Sequence, residues 1–261
     1  MNDTDFESGS PAARIPVARI RDRLDALTGK KDYAAAARLL EYWRDEARAV
    51  KDIRGEFFVL NEMMGVFRKS DDRIKALESA AGALRLVNEP EITGTVGAGT
   101  AYVNAGTVYK YAGNPEKAME CFEKAGIIYV RSLKMDDERL GGLYNNMALA
   151  LTDLGRFREA VSLFESALRI MRKQPYGARE EAITLLNMAD VHAREFGPEA
   201  AEEQINDCLL AAERLLTDSS LPRDEYHAFV CEKCAPVFSF YGWFKTAAEL
   251  ENTAALIRRN E

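Results

Sequence analysis

Leu143-Tyr-Asn-Asn-Met-Ala-Leu-Ala-Leu-Thr-Asp-Leu-Gly-Arg-Phe-Arg-Glu-Ala160 is the stretch that decides the fold. Tyr144, Ala148 and Leu151 recur at i, i+4 and i+7 and so share one helical face. Gly155 then offers a residue for which a left-handed backbone costs little, and it ends that helix. Beyond it Ala160, Phe164 and Ala167 repeat the spacing on a second helix, with alanines small enough for close helix approach. One helical hairpin cannot bury both stripes alone.

Neighbouring copies supply the missing surface. Tyr102, Gly106, Tyr109, Gly113, Ala118, Phe122 and Ala125 hold the same positions 42 residues upstream. Ala76, Ala118 and Ala160 fall 42 apart and Ala201 follows after 41, a period that marks stacked helical hairpins. Weaker copies flank the two good ones. Leu60, Met64, Phe67, Ala76, Ala80 and Ala83 form one, with Asp71 in place of the loop glycine. Leu185, Ala189, Ala201, Ile205 and Cys208 form another, and Cys231, Ala235, Phe238, Gly242, Ala247 and Ala254 the last. The first, Ile20-Leu24-Leu27-Gly29 followed by Ala34, is the most degenerate, as terminal repeats are.

This pattern resembles the tetratricopeptide repeat, in the long-helix variety of kinesin light chains and many bacterial proteins. The resemblance implies an all-α, right-handed superhelical solenoid of about six antiparallel helical hairpins, with first helices lining a concave side. Repeats are expected over roughly 15–50, 57–90, 99–134, 141–174, 182–216 and 224–259. Residues 1–13 are expected to be a disordered acidic tail and 14–261 one solenoid domain.

Composition narrows the function classes. Hydrophobic residues at 47% supply a core, and charged residues at 30% cover the outside. A net charge of −7 argues against nucleic acid, whose phosphates are bound by positive surfaces. The first 60 residues are mostly spent on a repeat and show no recognition helix. No apolar run suits a membrane span, and the start lacks the regions of a signal peptide, so a cytoplasmic protein with no membrane partner is expected.

Candidate chemistry is sparse. Gly94-Thr-Val-Gly-Ala-Gly-Thr100 has the glycine spacing of a phosphate loop but lacks the lysine after Gly99, and reads as a connector. His227, Cys231 and Cys234 stand at i, i+4 and i+7, three zinc-ligand types on one helical face. A closed site wants a fourth ligand, and core columns already account for both cysteines, so no metal and no cofactor are expected. His192 falls in the column of Tyr109 and Leu151 and reads as a packed imidazole. Asp136-Asp137 and Glu202-Glu203 read as solvated helix ends. The chain is not expected to be an enzyme.

Binding remains. Asn104, Asn146 and Asn187 recur at 42 and 41, each just before a core position of its first helix, with Asn145 beside Asn146. An amide side chain offers two donors and an acceptor, so a stripe of asparagines suits the backbone of an extended peptide. In the resembled family, groove asparagines of kinesin light chains and bacterial peptide sensors play this part. The upstream copy departs, with Glu62 in the column and Asn61 beside it. Arg68, Lys69, Lys110 and Arg194 lie further along their helices, placed to read an acidic group at the rim. The expected function is a non-enzymatic protein- or peptide-binding scaffold with an asparagine-lined groove. The alternative is an assembly or oligomerisation module acting through its ends or convex face. A homodimer contact through Phe240 and Trp243 is one form of it, because packing columns explain Phe238 and Phe244 but not these two.

Overall fold

One turn geometry recurs along the chain. The carbonyls of Phe67, Tyr109, Leu151 and Phe238 each accept the N–H five residues on, from Asp72, Asn114, Arg156 and Trp243, at 2.8–2.9 Å. The residue just before each of these donors takes a left-handed backbone: Asp71 (φ 59), Gly113 (φ 80), Gly155 (φ 72) and Gly242 (φ 81). This is the bond pattern that satisfies orphan carbonyls at a helix end. The donor residue also opens the next helix: Asp72 Oδ1 accepts from Lys75 N and Asn114 Oδ1 from Lys117 N, both at 3.0 Å. Four residues beyond come Ala76, Ala118, Ala160 and Ala247, all buried.

The computed structural model describes residues 14–259. Twelve helices and no strand occur among them: α1 Val17–Gly29, α2 Tyr33–Ala49, α3 Ile53–Lys69, α4 Arg73–Leu86, α5 Val96–Tyr111, α6 Pro115–Ser132, α7 Glu138–Asp153, α8 Phe157–Met171, α9 Ala178–Phe196, α10 Glu202–Leu216, α11 Glu225–Phe240 and α12 Phe244–Arg259. The tail expected over 1–13 lies outside the described residues. The chain forms two compact units, Met1–Ile128 and Tyr129–Glu261, with the boundary inside α6.

In the first unit α2 packs on α3 and α3 on α4, while α1, α3 and α5 lie side by side as a layer of first helices. Phe67 fills the interior with Leu60, Met63 and Met64, and Phe122 on α6 is fully buried. In the second unit α7–α8, α9–α10 and α11–α12 are hairpins, and α7, α9 and α11 form the corresponding layer. Phe164, Leu209 and Phe238 are fully enclosed there. Among the described residues no helix is long and apolar enough to cross a membrane.

The first repeat departs from its expectation. Its turn lies at Lys31 (φ 56) rather than Gly29, and Asp32 accepts from Ala35 N at 3.0 Å to start α2. Ala36 is therefore the enclosed alanine, and Ala34 faces solvent. Lysine takes the left-handed position because the Asp32 N to Leu27 O bond, 2.9 Å, fixes the turn regardless of the side chain. Lys51 (φ 57) repeats the device between α2 and α3, with Asp52 N bonded to Ala47 O at 2.8 Å.

Candidate functional site

The face shared by first helices carries paired amides in both units. In the first, Asn104 Nδ2 donates to Asn61 Oδ1 at 3.2 Å, and Asn61 Nδ2 donates to the Phe57 carbonyl at 3.0 Å. Asn61 therefore sits in register with Asn104, although the column assigned from sequence falls on Glu62. In the second, Asn187 Nδ2 donates to Asn145 Oδ1 at 3.1 Å, and Thr184 Oγ1 donates to the same oxygen at 3.3 Å. The pairing thus runs through Asn145, while Asn146 stands half-buried beside it. Amides bonded to each other hold fixed orientations and still keep unused donors and acceptors.

Charge on the same layer is mixed. The Arg21 guanidinium lies 5.3 Å from the centre of the Phe58 ring. Burial pushes the Glu62 carboxyl above its ordinary range, against the opposing pull of Arg21 and Lys69. Arg68 and Lys69 occupy the last turn of α3, and Lys110 that of α5. Arg194 is engaged within its own unit, with Nη1 3.1 Å from Asp153 and 3.9 Å from Asp190.

The remaining sequence candidates lie in packing or at helix ends. His227, Cys231 and Cys234 are buried in the second core, where desolvation pushes the two thiols up to about 11 and about 12. Arg223 Nη1 donates to His227 Nε2 at 2.7 Å, so the ring is neutral with its proton on Nδ1. No three His, Cys, Asp or Glu side chains converge as a metal site among the described residues. His192 is half-buried on α9. Gly94 (φ 69) leads into Thr95, whose Oγ1 accepts from Ala98 N at 3.1 Å to open α5. Asp137 caps α7, and Glu202 and Glu203 occupy the first turn of α10.

The aromatic cluster at the last turn is arranged differently from expectation. Trp243 turns inward, its ring 6.0 Å from Phe238 and its Nε1 donating to Asn206 Oδ1 at 3.4 Å. Phe244, expected in a packing column, is 68% exposed, and Phe240 is 78% exposed. Trp243 occupies the cap position and Phe244 the first helical residue, so one step along the turn exchanges their environments.

Comparison with known proteins agrees with this architecture. Residues 99–125 and 139–214 each match the tetratricopeptide repeat. No curated protein matches in sequence. The fold is similar to BtubC (BKLC) from P. vanneervenii, with TM-score 0.56, 19% identity, and coverage of 89% of this chain and 91% of that one. It is similar also to the nearly identical TPR-like repeats of a Podosopora anserina protein described as a kinesin light chain, with TM-score 0.52, 16% identity, and coverage of 77% and 94%. NprR in complex with its cognate peptide NprX gives TM-score 0.61, 16% identity, and coverage of 100% of this chain and 70% of that one. Repeat matches, helix order and hairpin packing agree: the chain is a helical repeat protein of the tetratricopeptide type.

Proposed function

We propose that the protein is a non-enzymatic scaffold that binds an extended peptide or protein segment along the layer of first helices within each unit. The observation that carries this reading is the pair of amide contacts, Asn61 with Asn104 and Asn145 with Asn187. Each pair joins neighbouring first helices and leaves the Asn104 and Asn187 oxygens free to accept a peptide N–H. Such contacts address the main chain and suit varied sequences. NprR, of the same fold, is seen with a peptide, which supports the reading by analogy of fold. Arg68, Lys69 and Lys110 are proposed to border a ligand in the first unit, and Asn146 and Arg194 in the second.

Capture of fluorescein-labelled random nonamer peptides tests the proposal. The parent should retain a fraction of the pool that a variant with Asn104, Asn145 and Asn187 changed to alanine loses, with equal helical circular dichroism. Equal retention by both proteins would sink the amide reading. A second reading, assembly through an end of the repeats, rests on Phe240 and Phe244 exposed at the last turn. With Trp243 turned inward, Phe240 is the residue to test: light scattering should show a dimer that Phe240→Ala dissolves, and a monomeric parent at high concentration removes it.

A further inference from the structure

The N-terminal ends of α7, α9 and α11 surround a cleft of about 510 Å³ in the second unit. Its walls include Met171 and Pro175, the rings of Tyr176 and Tyr226, and the carboxylates of Glu138 and Glu180. The cleft is a built feature. Gln174 Nε2 donates to the Asp136 carbonyl at 2.7 Å, fastening the loop between α8 and α9 to the start of α7. Arg179, almost wholly buried, joins α9 to Asp224 ahead of α11 at 2.7 Å and lies beneath both tyrosines, 5.9 and 4.8 Å from their ring centres.

The charges around this cleft do not cancel. Arg139 is matched by Asp137 at 2.7 Å, Arg172 by Glu181 at 2.6 Å and Arg179 by Asp224. The acids that face the cleft, Glu138 and Glu180, take part in no hydrogen bond or ion pair of their side chains among the described residues. Glu180 is partly buried, and this desolvation raises its pKa; Glu138 pushes in the same direction while Lys233 and Arg179 oppose. A half-buried carboxylate that forms no ion pair of its own among the described residues is a position where a cation brought by a ligand gains more than at an open surface.

Position links the cleft to the amide pair. Glu138, Gly142 and Asn145 follow one another at i, i+4 and i+7 on α7, and Glu180, Thr184 and Asn187 do so on α9. Both strips therefore run from carboxylate to asparagine along one face. Seven residues of helix span ~10 Å, the reach of about three residues of extended peptide. We propose that this cleft seats a lysine or arginine side chain of the peptide held by Asn145 and Asn187. The aliphatic stem lies along Met171, Pro175 and the tyrosine rings, and the charge meets Glu180 and Glu138. This assignment rests on the scaffold reading and adds to it a requirement for a basic anchor residue.

Nonamer pools with a fixed central residue test it on the full chain. The centre is lysine, arginine, norleucine or glutamate, and the other positions are random without Lys, Arg or His. Lysine and arginine pools should bind about tenfold tighter than norleucine, which keeps the stem and drops the charge, and the glutamate pool weakest. Glu180→Gln combined with Glu138→Gln should erase that preference, yet hold the norleucine pool as the parent does. Glu138→Gln alone, at the exposed edge, should reduce the preference in part. Equal binding of lysine and norleucine pools, or a preference that survives in the double variant, overturns the cleft assignment and leaves the scaffold reading standing. Capture of no pool at all overturns both.

Discussion

Phe122 packs directly against Gly106: a Cβ on that glycine would stand 2.7 Å from Cδ1 of the ring. Both residues are enclosed, Phe122 completely. The contact is how α5 and α6 approach closely enough to share one core. Gly106→Ala should displace the ring and destabilise by about 1–3 kcal/mol, although alanine is the better helix former. Urea unfolding followed by circular dichroism measures it, and a more stable variant would refute the contact.

Ala160 and Phe164 are the corresponding test in the second unit, both fully buried on α8. Ala160→Leu should cost about 1–3 kcal/mol through crowding, and Phe164→Ala about 3–5 kcal/mol through the cavity left behind. Arg194→Ala is the control, because its ion pair with Asp153 is largely exposed and contributes at most about 1 kcal/mol. Thermal melts should place Phe164→Ala lowest, Ala160→Leu next and Arg194→Ala nearest the parent.

A substitution should also stabilise. Lys51 holds φ 57, a backbone that costs a side-chain-bearing residue about 1–2 kcal/mol and glycine nothing sterically. Glycine gives back part of that through its looser unfolded chain. Lys51→Gly should therefore gain about 0.5–1 kcal/mol in urea unfolding, and a loss would mean that the lysine stem packs in a way that offsets the strain.

Stability should depend on pH through His227. Burial first, then the charges of Arg223 and Arg179, lower its pKa below the ordinary 6.5, so the unfolded chain binds the proton more readily. The stabilisation is complete above 6.5 and is lost as pH falls from there through the folded value. Glu62 and Glu180 act in the opposite sense, since burial raises both above 4.5 and favours the folded state when they are protonated. Comparing the urea midpoint of the parent with His227→Gln between pH 7.5 and 5 isolates the histidine: the variant should show the flatter acid-side decline. On the alkaline side, Cys208 and Cys231, raised from 9.0 to about 11, should withdraw stability as pH climbs from 9 toward 11.

The hairpin order was legible because its signals are periodic. Ala76, Ala118 and Ala160 declare themselves by spacing, and each is fully buried. What escaped was carried by geometry without a residue signature. Lys31 turns left-handed where a glycine was sought at Gly29, so the first enclosed alanine moved from Ala34 to Ala36. Asn61 lies 43 residues before Asn104 instead of 42, so counting by the period selected Glu62. Trp243 and Phe244 exchanged roles in the turn between α11 and α12, where the spacing from Ala201 to Ala247 has stretched to 46 and the period no longer gives a register. Tyr176 and Tyr226 stand outside every repeated column, and only the folding of a loop against two helix starts brings them together over Arg179.

The turns at Lys31-Asp32 and Asp71-Asp72 are built alike, with the same backbone sign, the same five-residue carbonyl bond and the same aspartate cap. Excising residues 32–71 would join Lys31 directly to Asp72 and recreate a junction the chain already makes. Duplicating them would do so as well. Gene rearrangement at such matched joints can shorten or lengthen the protein by whole hairpins with no new loop chemistry, so the number of hairpins is a trait selection can change in single events.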